Sequence, residues 1–271
     1  MSTGHGVRRR ESFDGVAELY EKARPGYPQM LVDDLVELTG VGKGHRVLEI
    51  GCGTGQLTVP LAEREVTLVA VELGAHLAEV ARRKLASFEH VEVVIADFDT
   101  WLLPDEPFDL VVAATAFHWL DPASRLRKCA EALRPGGALA IVETHWGIGQ
   151  RYDRFFAEGQ SCYARWDPDY DPSFWPPALE DLPDERDDLA RSDRFDRTIH
   201  RRYVAVREYS AAQYCDLLGT FSNILAFDER TRSGFLACIA NLIATRFEGR
   251  IVQHDVYDLW LARTSLQSKG I

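Results

Sequence analysis

Three glycines at alternate positions, Gly51, Gly53 and Gly55, follow the apolar run Val47, Leu48 and Ile50, with Glu49 inside that run. An apolar run of this length suits a strand buried on both faces. The glycines permit a tight turn and let a ligand lie against bare backbone. A helix opened from Gln56 (Leu57, Val59, Leu61, Ala62) would aim its first amides at the same ligand. Strand, glycine turn and helix in this order form the nucleotide-side half of a doubly wound sheet. The spacing misses by one residue the Gly-x-Gly-x-x-Gly pattern that seats a dinucleotide pyrophosphate, which disfavours a nicotinamide oxidoreductase. An ordinary structural loop is the plain alternative.

Further residues suited to chemistry sit at successive strand tips. Glu72 ends the run Thr67–Val71, and a carboxylate there can accept hydrogen bonds from vicinal ribose hydroxyls. Leu73 beside it can pack on a base. Asp97-Phe98 follows the run Val91–Ile95; a loop aspartate capping its own turn is the bland reading. Phe117-His118-Trp119 follows Phe108–Ala114. His118 can serve as a general base toward a hydroxyl acceptor, whereas a carboxylate acceptor needs none. The alternatives are a hydrogen-bonded wall residue for His118 and a core residue for Trp119. Trp146 and Tyr152 are candidates to line an acceptor pocket. Arg197, Arg201 and Arg202 form either an anion site or a solvated strand face. Cys52 reads as a small buried thiol rather than a nucleophile.

The elements that must position these residues follow from periodicity. Phe13 to Ala23 reads as a short helix stopped near Pro25, and Leu31, Leu35 and Leu38 recur at helical spacing before Gly40. Strands are expected at Arg46–Ile50, Thr67–Val71, Val91–Ile95, Phe108–Ala114 and Ala138–Val142. Leu77, Val80, Ala81 and Leu85 mark one intervening helix, and Asp121-Pro122 opens another that runs to Leu133. After His145 the rhythm changes: residues 146–195 are rich in aromatics, prolines and acids, including Phe174-Trp175-Pro176-Pro177. Rings in such number need burial, so this stretch reads as an inserted cap. Thr198–Val206 and Asp255–Ala262 suit a sixth and a seventh strand, the last antiparallel, with helices at Tyr209–Leu218 and Arg230–Ala244 between them.

The acidic-glycine turn, Glu72, Asp97, the aromatic segment after the fourth strand and Leu133-Arg-Pro-Gly-Gly137 together resemble class I S-adenosylmethionine-dependent methyltransferases over residues 45–143. Tyr20-x-x-x-Arg24-Pro-x-Tyr27-Pro28 and Phe117-His118-Trp119 resemble the small-molecule branch near the trans-aconitate methyltransferase-like proteins. The resemblance implies a Rossmann-like α/β fold, a doubly wound, mostly parallel seven-stranded sheet with an inserted cap. It implies S-adenosylmethionine as cofactor, released as S-adenosylhomocysteine. On this basis the Gly51 carbonyl and neighbouring backbone at Gly53 and Gly55 hold the methionine ammonium, with Glu49 shaping the turn; Glu72 holds the ribose, and Leu73, Asp97 and Phe98 the adenine. Ala114 and Thr115 touch the methionyl end, and Tyr20 and Arg24 lie over the cofactor. Tyr27, His118, Trp119 and Trp146 face the acceptor. Two features are missing: an Asp/Asn-Pro-Pro-Tyr element, which disfavours methylation of base or glutamine amides, and an acidic metal cluster, which disfavours the magnesium-dependent catechol type. A cofactor-binding protein without catalysis is the second expectation.

Composition narrows the class. The 271 residues carry 31 Lys and Arg against 42 Asp and Glu, a net charge of −11 that repels nucleic-acid phosphates. No stretch approaches ~18 consecutive apolar residues, so no membrane span is expected. The N-terminal residues lack an apolar signal core, and Arg8-Arg9-Arg10 reads as a solvated tail. Five cysteines without a Cys-x-x-Cys pair suit a reduced, cytoplasmic protein with no zinc site. The expected division is an N-terminal helical segment covering the cofactor site (1–40), a cofactor-binding core (41–145), a cap (146–195) and strands and helices completing the sheet (196–271). The partner expected is a small-molecule acceptor.

Overall fold

Seven strands form one mixed, mostly parallel sheet in the order β3-β2-β1-β4-β5-β7-β6 in the computed structural model, which describes residues 12–147, 154–173 and 176–264. The strands are β1 (Arg46–Ile50), β2 (Thr67–Glu72), β3 (Val91–Ile95), β4 (Phe108–Ala114), β5 (Leu133–His145), β6 (Ile199–Ser210) and β7 (Arg250–Arg263). Tyr152, Phe174, Trp175 and the basic run at 8–10, all singled out from the sequence, lie outside the described residues.

The order places β1 and β4 side by side at the centre. Val47, Leu48 and Ile50, and Leu110 to Ala113, are at most 2% exposed, because helices cover both faces of a parallel sheet. β3 ends the sheet and is only partly covered. Parallel register sets Ile50 level with Val71 on one side and with Ala113 on the other. The chain leaves β1 toward β2 and β3, then returns to the far side of β1 as β4. That reversal opens a crevice beyond the carboxyl ends of β1 and β4, where open α/β sheets bind ligands.

By compactness the chain divides into two units. The core unit holds the described residues of 25–144, 184–203 and 257–264. Its apolar centre joins Leu48, Val111, Phe117 and Leu139 to Leu189, Phe195 and Trp260, so residues after position 184 complete a core begun near position 47. The second unit holds the described residues of 12–24, 145–183 and 204–256. Its centre is the pair of helices Arg154–Trp166 and Glu229–Arg246, packed with Tyr209, Leu217 and Ile224. Asp228 caps the longer helix by accepting from the Thr231 amide at 2.9 Å. No helix among the described residues is long and apolar enough to cross a membrane.

Two expectations are corrected. The helix after the glycine turn is only Thr58–Ala62, because the turn itself consumes the residues before Thr58. The cysteines are not all reduced: Cys162 and Cys238 form a disulfide across 76 residues. Wide sequence separation hid the pair, since only packing of the two helices brings the thiols together. Cys52, Cys129 and Cys215 are free thiols.

The same interface fixes Gly234. A Cβ there would stand 2.3 Å from the Trp166 ring. Alanine in a helix interior normally stabilises relative to glycine. Gly234→Ala should instead destabilise by about 1–3 kcal/mol through overpacking, read as a lower midpoint in denaturant unfolding; a higher midpoint would show that Trp166 moves aside without cost.

Candidate cofactor site

All three alternate glycines take positive φ: +68° at Gly51, +57° at Gly53 and +91° at Gly55. At Gly51 the demand is double, since a Cβ would also stand 2.6 Å from the Ala116 Cβ of the segment after β4. Any side chain there would push apart the tips of β1 and β4. The Gly51 amide donates to Val71 O at 2.7 Å, and the Gly55 amide to Cys52 O at 2.9 Å.

Glu72 leaves the end of β2 and turns into this bend. Its Oε2 accepts from the Gly53 amide at 2.8 Å and its Oε1 from the Gly74 amide at 2.9 Å. The side chain is 7% exposed. Glu49, 1% exposed, lies beneath the same bend. Burial pushes its carboxyl up to about 8; a contact with Thr58 tempers the shift and the Glu72 charge adds to it. Neither Glu49 Oε2 nor Thr58 Oγ1 completes a hydrogen bond with protein. A buried oxygen without a partner is costly. The Glu72 carboxylate and an unsatisfied oxygen of the neutral Glu49 carboxyl, beside bare backbone, suit a ligand that brings hydroxyl groups and an ammonium, the two ends of S-adenosylmethionine. Burial also raises the Cys52 thiol well above its ordinary value, helped by the Glu72 and Glu49 charges, so it is no nucleophile.

Ala114 ends β4 and is 8% exposed. Thr115 follows with φ +56°, strained for a β-branched residue, the kind of outlier that gathers at ligand sites. Its Oγ1 lies 3.0 Å from the Tyr27 hydroxyl and 2.8 Å from Thr144 Oγ1. Thr144 was not singled out from the sequence; alternation along β5 was the available signal. Leu73 is half-buried beside Glu72. Asp97 Oδ1 accepts from the Asp99 amide at 3.0 Å, so its carboxylate caps its own turn. The Phe98 ring is 3% exposed and sits in the core, with Lys128 Nζ 5.0 Å from its centroid.

His118 rides on a short 3-10 turn, Phe117–Trp119, with its ring 4.6 Å from that of Trp119. It is exposed at the surface, yet surrounding protein desolvates it and lowers its pKa; Glu143 opposes this, and Arg125 and Arg186 add to it. The imidazole is therefore neutral at neutral pH and able to take a proton.

Tyr20, Arg24 and Trp146 belong to the second unit. There Arg24 donates to Thr220 Oγ1 and to Thr220 O, both at 2.8 Å, with its guanidinium over the rings of Tyr20, Trp146 and Phe221. Arg202 Nε donates to the buried Asp258 Oδ1 at 2.7 Å, while Arg197 and Arg201 are exposed; the three do not form one cluster. No group of three or more metal-ligating side chains occurs among the described residues.

The Glu49 carboxyl makes stability depend on pH. As pH rises past the ordinary 4.5 the unfolded chain loses this proton first, while the folded chain keeps it until about 8. Between these values the ligand-free protein should lose on the order of 1 kcal/mol per pH unit through this group. Unfolding from pH 5 to 8.5 should show Glu49→Gln with a flatter profile and higher stability at the alkaline end. Parallel profiles would mean that Glu49 is ionised in the fold.

Residues 47–137 match the family model described as a methyltransferase domain. An uncharacterized methyltransferase of Mycobacterium tuberculosis is 36% identical over 131 residues, 48% of this chain and 51% of that protein. One from Anoxybacillus flavithermus is 33% identical over 160 residues, 58% of this chain and 66% of that one. The chain thus spans about half the length of the mycobacterial relatives it matches. Among solved structures, Haemonchus contortus phospholethanolamine N-methyltransferase 2, in complex with phosphomonomethylethanolamine and S-adenosylhomocysteine, shares the fold. Its TM-score is 0.51 at 18% identity, covering 93% of this chain and 57% of that one. The finer placing near the trans-aconitate branch rests on sequence motifs alone. With the acidic-glycine turn at its head and the Arg-Pro-Gly-Gly segment at its tail, residues 47–137 are similar to the methyltransferase-domain family, and the sheet around them shares the Rossmann-like fold of the solved neighbour.

Proposed function

We propose that this chain is an S-adenosylmethionine-dependent methyltransferase acting on a small organic acceptor, at a carboxylate or hydroxyl oxygen. The carrying observation is the Glu72 carboxylate turned into the glycine bend, with the orphaned Glu49 oxygen below it. A carboxylate offers about four acceptor positions, enough to serve two backbone amides and two ribose hydroxyls together. The Gly51 carbonyl and Glu49 take the methionine ammonium, and the bare backbone at Gly53 and Gly55 lets the ligand approach. Leu73, Asp97 and the Phe98 backbone hold the adenine; the buried Phe98 ring backs the loop from the core. Ala114 and the strained Thr115 bound the methionyl end, with Tyr27 fastening Thr115. Tyr20 and Arg24 are assigned to the cofactor and Trp146 to the acceptor, from the sequence resemblance.

Bound S-adenosylmethionine supplies an electrophilic methyl group on a good leaving group. The protein's task is to align an acceptor with it and to exclude water. His118 and Trp119 stand at the acceptor side, and neutral His118 can accept the proton of a hydroxyl. The charge of −11 favours small molecules over nucleic acids.

Calorimetry with S-adenosylhomocysteine tests it. Wild type should bind, and Glu72→Ala should lose at least about a hundredfold in affinity, as expected when charge-assisted hydrogen bonds are removed. Methyl release from S-adenosylmethionine should then appear with a panel of hydroxyl and carboxyl compounds. Absence of binding heat and of any thermal shift would overturn the proposal, and binding without methyl release across the panel would favour a non-catalytic cofactor-binding protein.

A further inference from the structure

The turn that carries His118 is held by four charged groups from three separate stretches of the chain. Arg125, on the helix Arg125–Ala132, donates through Nη1 to Phe117 O at 3.1 Å and through Nη2 to Asp188 Oδ2 at 2.8 Å. Arg186 donates through Nε to Asp188 Oδ1 at 2.7 Å and through Nη2 to Asp188 Oδ2 at 3.1 Å. Its Nη1 reaches Glu143 Oε1 near the end of β5. Both guanidiniums lie over the buried Phe117 ring, at 4.5 Å and 5.0 Å from its centroid. The result is a chain Arg125–Asp188–Arg186–Glu143 wrapped around the residue before His118. The guanidiniums are 15% and 11% exposed and the Glu143 side chain 32%, so much of the network is shielded from water and salt.

The charges bearing on His118 come from three elements. Glu143 stands on β5, Arg125 on the helix after the turn, and Arg186 on the segment leading into the helix Asp187–Ala190. The two arginines disfavour imidazolium; Glu143 favours it. Such a setting does nothing for a carboxylate acceptor, which is already an anion. It matters when the accepting atom must shed a proton.

We propose that the Arg125–Asp188–Arg186–Glu143 network, closed around Phe117, positions His118 as the proton acceptor, and that the methyl acceptor is a protic one, an alcohol or phenol. This rests on the reading of His118 given above. The acceptor oxygen forms the new bond to carbon, the carbon–sulfur electron pair returns to sulfur, and the O–H proton passes to an imidazole nitrogen of His118. The Glu143 charge favours the imidazolium so formed, while its ion pair with Arg186 keeps Glu143 from taking the proton itself. Glu143 and Arg186 are positioning residues, since they act through His118.

The test begins without cofactor. Titration of His118 followed by NMR should show its pKa falling in Glu143→Gln and rising in Arg186→Met, each by about half a unit or more. With panels of alcohols and phenols as acceptors, Glu143→Gln should lose about tenfold in kcat, a fraction of what a general base contributes. KM and S-adenosylhomocysteine affinity should stay near wild type, and Glu143→Asp should recover part of the loss. The acidic limb of the kcat–pH profile should move with the titrated pKa. Unchanged His118 titration in both variants overturns the inference, as does preferential methylation of carboxylic acids with His118→Asn fully active. If His118→Asn loses about a hundredfold while Glu143→Gln loses nothing, the base reading stands and this inference falls. If no acceptor is methylated although S-adenosylhomocysteine binds, the methyltransferase reading falls first.

Discussion

Everything at the site depends on one carboxylate reaching across a parallel strand pair. Glu72 belongs to β2, yet it accepts from an amide in the bend after β1. This is possible because register sets Ile50 level with Val71, so the bend and the tip of β2 leave the sheet at the same height. The Gly74 amide, on the other oxygen, fixes the start of the next helix to the same group. The bend is thereby stitched to its neighbouring strand before any ligand arrives, and that lowers the entropy a ligand must overcome.

This arrangement has an electrostatic cost. Two carboxylates share a buried hollow, and the one with fewer partners keeps its proton. Glu49 is stored neutral, with an acceptor left unsatisfied, at the base of a cradle too crowded for a Cβ at Gly51. A ligand with an ammonium would supply the missing hydrogen bond. The same logic in reverse governs His118, kept neutral by shielding and by two guanidiniums. One group holds a proton in reserve, and the other is kept free of one.

The late part of the chain finishes the early part. Residues 184–203 return to the core unit, where Arg186 and Asp188 brace the His118 turn and Leu189 and Phe195 enter the apolar centre. His200 stacks on Trp260 at 3.9 Å and, with Arg202, bonds Asp258, which is 1% exposed. Buried ion pairs of this kind rarely add much net stability, but breaking one partner leaves an uncompensated charge. They tie distant segments in one register.

The first five strands were legible because their signals are local. Val47, Leu48 and Ile50 show a continuous apolar run, and the glycines after them announce positive φ wherever they sit. Helices were also legible near 211–218 and 229–246, read from the sequence as Tyr209–Leu218 and Arg230–Ala244. The helix Arg154–Trp166 was missed inside the stretch read as a cap, although Phe155, Gly159 and Cys162 recur at helical spacing on its buried face. Glu49, Glu72 and Thr115 could be named from spacing, but not their states. That Glu49 holds a proton, that the Phe98 ring faces the core, that Cys162 meets Cys238 and that Arg186 finds Glu143 are outcomes of packing. Sequence by itself determined the order of the first five strands and of the turns and helices between them, since these follow from periodicity and backbone freedom within a few residues. Only the tertiary structure decided which charges are buried, which are paired and across how many residues, because desolvation and pairing arise when segments far apart in the chain close on one another.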